Sequence, residues 1–108
     1  MDPEDSSRLL SEWNLNHCGL VAVPESMGDL VVEGGLLLGD NWLTCLPDGF
    51  CGISVGDNLW MSGNKLTSLP DGFGSISVGG KVVLGWNPIA RLPEGQRPQF
   101  KGLDIKWG

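Results

Sequence analysis

Of the side chains suited to metal or covalent chemistry, the sequence holds one histidine, His17, and three cysteines, Cys18, Cys45 and Cys51. A structural zinc needs about four nitrogen or sulfur donors in short paired spacings such as Cys-x-x-Cys. None of the cysteines is so spaced, so no metal is expected and His17 reads as an exposed residue just past a strand. The stretch GFGSISVGG, from Gly72 to Gly80, has the glycine content of a phosphate-cradling loop. The related stretch GFCGISVGD, from Gly49 to Asp57, replaces key glycines, and neither is followed by the lysine and helix start of a phosphate site. These glycines read as turn residues between strands. No nucleophile elbow is present, and the carboxylates are scattered with no acid–base pair standing out. The chain is not expected to be an enzyme or to carry a cofactor.

What remains for these residues is a scaffold. A length of 108 residues allows one core and not two. Seventeen glycines, with few aromatics apart from five tryptophans, point to a turn-rich and mainly β chain. The net charge of −6 argues against nucleic acid, which demands a basic face. That charge is uneven: residues up to Asp48 carry −8 and the rest +2. No apolar run approaches membrane-spanning length, and the polar opening MDPEDSSRLL lacks a secretory core. With an odd cysteine count as well, the expected setting is intracellular, in the cytoplasm, with no membrane partner.

The sequence repeats. LTCLPDGFCGISVGDNLWMSGNK from Leu43 recurs as LTSLPDGFGSISVGGKVVLGWNP from Leu66, an offset of 23 residues, and the same step leads back to Leu20 and forward to Ile89. Prolines keep the phase at Pro24, Pro47, Pro70 and Pro93, and asparagines at Asn41, Asn64 and Asn87, with Cys18 one step earlier. The segments Trp13-x-Leu15-x-x-Cys18-x-Leu20, Leu36-x-Leu38-x-x-Asn41-x-Leu43, Leu59-x-Met61-x-x-Asn64-x-Leu66 and Val82-x-Leu84-x-x-Asn87-x-Ile89 resemble the leucine-rich-repeat segment, asparagine-or-cysteine alternation included. The likeness covers about residues 11–107. It implies a mainly β chain of the α/β solenoid family, with one parallel sheet and four to five rungs. It also implies protein binding on the exposed face of the strand ladder.

Elementary geometry supports that expectation. Alternating apolar pairs such as Leu36 and Leu38 place two side chains on one face of a short strand. The asparagines are expected to cap backbone groups where the chain leaves the strand, with Cys18 buried in that role at the first rung. Proline then turns the chain, and Phe50, Phe73 and Met27 fill the interior from the other side. One column departs from the family. Where a leucine is usual stand Glu33, Gly56, Gly79 and Gly102, preceded by the alternations Leu30/Val32, Ile53/Val55 and Ile76/Val78. These suggest a second short strand per repeat, bent into the first through the glycines, and little helix.

The ends differ from the middle. Residues 1–10 read as a polar cap and 11–108 as the solenoid. In the last repeat the core columns decay to Gln96, Gln99 and Lys101, yet Ile105 and Trp107 return in phase with Val82 and Leu84. A strand there presents an unpaired edge, open to self-association.

Between the paired apolar positions runs the column Asn14, Leu37, Trp60, Val83, Lys106. At a spacing of about 4.8 Å it extends about 19 Å, room for one small interface. Leu37, Trp60 and Val83 form its apolar stripe. Trp86 belongs to the neighbouring column with His17, Asp40 and Gly63, and Trp42 lies in the next connection. Trp13 and Trp107 fall in core columns and read as packing residues. The expected function is non-catalytic protein binding on this stripe. The alternatives are a structural, self-assembling solenoid or a piece of a larger repeat protein, and, more weakly, carbohydrate binding on the tryptophans.

Overall fold

The computed structural model describes residues 9–10, 12–98, 100 and 102–108. Residues 13–14, 36–37, 59–60, 81–83 and 104–106 form strands β2, β4, β6, β8 and β9 of one five-stranded sheet. Residues 9–10, 31–32, 54–55 and 77–78 form β1, β3, β5 and β7 of a second, four-stranded sheet. Every pairing is parallel, and consecutive strands of a sheet come from consecutive repeats. The sequence pattern led us to expect one sheet with accessory strands. The accessory strands instead pair with each other and build a sheet of their own.

The core lies between the two sheets. Leu36, Leu38, Leu59, Met61, Val82 and Leu84 enter it from the five-stranded side, and Val32, Ile53 and Val55 from the other. Phe50 and Phe73, both wholly buried, wedge in from five-residue 3₁₀ turns at Asp48–Gly52 and Asp71–Ser75, with Met27 equivalent in Glu25–Asp29. Each turn starts after a proline held in extended conformation, Pro24, Pro47 or Pro70. Proline's fixed φ ends the extended run and has no amide to leave unpaired. Two shorter 3₁₀ turns, Pro88–Arg91 and Glu94–Gln96, are the other helical segments among the described residues.

The asparagine column bridges repeats as its spacing predicts. Asn64 accepts from the Leu43 amide at 3.1 Å and donates to the carbonyls of Leu38 and Met61 at 3.0 Å each. Asn41 accepts from the amides of Cys18 and Leu20 and donates to the carbonyls of Leu15, Leu38 and Gly39. Asn87 repeats the pattern with Leu66, Met61, Leu84 and Gly85. Cys18 does not share the role. It is exposed, and its thiol reaches only the Asn16 carbonyl, at 3.5 Å. Among the described residues no earlier repeat packs on that corner, so nothing there encloses or needs a bridge.

Gly56 and Gly79 have a different reason from the bend expected of their column, whereas Gly102, with φ of 89° and nothing within 4 Å of a Cβ, fits that bend. Gly56 and Gly79 do not adopt positive φ. A Cβ on Gly56 would collide with the Glu33 carbonyl oxygen, and one on Gly79 with that of Gly56. Successive backbones stack here without room for a side chain. At the start, Leu9–Leu10, assigned by composition to the polar cap, pairs with Val31–Val32 as β1, and the cap's residues 1–8 lie outside the described residues. The offset there is 22 residues, against 23 between β2 and β4, because two residues join β1 to β2 where three join β3 to β4. Gln99 and Lys101, expected in the decaying final repeat, also lie outside the described residues, and Gln96 is exposed.

Candidate protein-binding face

Pairing in the five-stranded sheet fixes the outward column. Asn14 sits beside Leu37, Leu37 beside Trp60, Trp60 beside Val83 and Val83 beside Lys106. Leu37 and Val83 are half-buried and Trp60 is 41% exposed, although the residues flanking each in sequence are core. Strand alternation accounts for this, since successive side chains leave opposite faces.

Two residues further along each strand, the outward positions are small: Gly39, Ser62 and Gly85. A Cβ on Gly39 would approach Trp60 Cδ1 and Nε1 to 2.9 Å, so the indole lies down across the glycine of the preceding repeat. The Gly39 amide donates to Asn16 Oδ1 at 2.6 Å, and the Ser62 hydroxyl donates to the Gly85 carbonyl at 2.9 Å. This low floor beside the stripe was missed in the sequence pattern. Its signal was present as a run of small residues at the 23-residue step.

The next column is left-handed throughout. His17, Asp40, Gly63 and Trp86 have φ of 56°, 54°, 77° and 58°. For non-glycine residues that region costs roughly 1–2 kcal/mol each. The His17 Nε2 and Asp40 Oδ2 atoms lie 3.2 Å apart in the open, a pairing worth little in solvent. Trp86 presents an indole that is 78% exposed from this strained position. Trp42, 58% exposed, stands just beyond with the Lys65 ammonium 5.6 Å from its ring centroid. Leu37, Trp60, Val83, Trp86 and Trp42 therefore occupy one side of the five-stranded sheet and its rim. Trp13 and Trp107 pack half-buried against the core, as their columns suggest.

Beyond this face, Pro98, Phe100, Leu103, Ile105 and Trp107 line a cavity of about 240 Å³ at the last repeat. Among the described residues, no three or more His, Cys, Asp or Glu side chains come together in a way that would hold a metal. No helix of the described residues is long and apolar enough to cross a membrane. The three cysteines are free: Cys18 and Cys45 are exposed, whereas Cys51 is half-buried. Burial pushes the Cys51 thiol up, and the nearby Asp48 carboxylate adds to that by opposing a second negative charge. Iodoacetamide at neutral pH should therefore modify Cys18 and Cys45 well before Cys51, an order readable by peptide mass spectrometry. Equal rates at all three would contradict this ordering. No protein-family model and no curated protein matches the chain.

Proposed function

We propose that this chain is a solenoid of the leucine-rich-repeat type that captures a protein partner on the outward face of its five-stranded sheet. The observation carrying the reading is the in-register stripe Leu37–Trp60–Val83 with exposed tryptophan at its centre, bordered by Trp86 and Trp42. A large indole laid over a small residue, with two more exposed indoles beside it, is the composition of an interface anchor. Asn14 and Lys106 close the column with polar ends, as a rim would. The role calls on no catalytic group and no cofactor. Free, partly exposed thiols suit a reducing, cytoplasmic setting.

Affinity capture with the immobilised chain, compared with Trp60→Glu and with Ser77→Glu on the other sheet, tests the proposal. Trp60→Glu should lower recovery of specific partners at least about tenfold, equivalent to losing a single hot spot. Ser77→Glu should leave recovery unchanged, and both variants should keep the wild-type circular dichroism spectrum. Equal recovery by wild type and Trp60→Glu would place binding elsewhere.

A further inference from the structure

Strand β9 is the outer strand of the five-stranded sheet among the described residues, pairing only with β8. The Lys106 carbonyl points to β8, accepting from the Leu84 amide at 2.8 Å. Backbone groups alternate sides along a strand, so the amide and carbonyl of Ile105 face away from β8. The side chains alternate as well: Ile105 turns toward the core, while Asp104 and Lys106 are exposed on the other face. Beside this edge lies the cavity lined by Pro98, Phe100, Leu103, Ile105 and Trp107.

We propose that two copies of this chain associate tail to tail, β9 pairing antiparallel with β9 about a two-fold axis through Ile105. The tripeptide Asp104–Ile105–Lys106 is matched in charge to its own reverse. Antiparallel pairing centred on Ile105 sets each Asp104 opposite Lys106 of the second copy, giving two cross-strand ion pairs. The two Ile105 residues then exchange both backbone hydrogen bonds, and their side chains meet on the core face next to both cavities. The five-stranded sheets become one, and the contact closes on itself, as two-fold interfaces do.

The charges at the strand edge itself disfavour the other way of using it, although that arrangement would bring the acidic first half of one copy to the basic second half of another. Head-to-tail stacking that continued the parallel 23-residue register would add β2 of a second copy next to β9. Ile105 would then lie beside Trp13, and Asp104 beside the exposed Glu12, carboxylate against carboxylate. Asp104 and Lys106 already lie 3.3 Å apart within the strand, and antiparallel pairing joins the two such pairs into one cluster of alternating charge, whereas the parallel arrangement sets carboxylate against carboxylate.

Sedimentation equilibrium of the 108-residue chain over a wide concentration range tests this directly. The wild type should follow a monomer–dimer isotherm that levels off at twice the chain mass. Lys106→Asp sets two aspartates opposite two aspartates and should raise the dimer dissociation constant about tenfold or more. The double change Asp104→Lys with Lys106→Asp restores the self-matching charge order and should recover dimerisation. Circular dichroism melting of each variant confirms that the exposed substitutions leave the fold in place. A monomer at every concentration overturns the proposal, as does Lys106→Asp dimerising like the wild type. Assemblies that keep growing past the dimer overturn it in favour of head-to-tail stacking.

Discussion

Asn64→Leu should destabilise the protein by about 3–5 kcal/mol, because the leucine fills the space but strands the Leu43 amide and removes one of the two bonds at each of two carbonyls. Asn64 is buried, and its amide serves one backbone N–H and two carbonyls drawn from two repeats. The Leu43 amide, left with no partner where water cannot reach it, costs about 1–3 kcal/mol. The Leu38 and Met61 carbonyls keep their bonds from Asn41 and Asn87 and lose one bond each, at about 0.5–1.5 kcal/mol apiece. A domain of this size has roughly 5–15 kcal/mol of stability in total, so one substitution removes a large share of it. Urea unfolding followed by tryptophan fluorescence reads the effect as a midpoint displaced downward by more than about 1 M. A midpoint within experimental error of the wild type would mean that the bridging bonds contribute nothing net. The loss is expected to be greater than for an exposed polar site such as Ser77, where solvent replaces any lost bond.

The second large effect is expected from a single methyl group. Gly56→Ala puts a carbon where the Glu33 carbonyl oxygen already lies. The obstacle is backbone and not the end of a flexible side chain, so no rotamer change relieves it. Nor can the strands part cheaply, for the Gly56 amide donates to the Val32 carbonyl at 2.7 Å in the same stack. A cost of about 3 kcal/mol is expected, the upper range for overpacking. Gly95→Ala is the matched control. Nothing lies within 4 Å of a Cβ there, and its φ is not positive. It should stay within about 0.5 kcal/mol of the wild type by thermal or urea unfolding. Equal effects at the two sites would refute the close-stacking explanation of Gly56 and Gly79.

Much of this arrangement was legible because it is periodic. Leu36, Leu38 and Asn41 recur as Leu59, Met61 and Asn64, so a single offset predicts strand register, core columns and bridging side chains together. The outward stripe followed from the same offset, as the positions between the paired apolar residues. Less legible were features that depend on how neighbouring backbones approach one another. Gly56 and Gly79 looked like bend glycines, whereas their requirement is absence of volume. Gly39 stands in a column of small residues, but that column alone does not tell that an indole from the next repeat lies on it. Cys18 was misread because its column implies burial, and burial also requires a repeat on each side. Leu9–Leu10 was missed because the fixed step of 23 residues points one residue away from the register it adopts.

That short first connection has a consequence for how the chain can vary. One residue fewer between β1 and β2 shifts the four-stranded sheet by one position while the five-stranded sheet keeps its step unbroken from Trp13 to Ile105. A change of length by one residue between β1 and β2 is therefore expected to alter only the register of the four-stranded sheet, leaving the order of residues on the outward face intact.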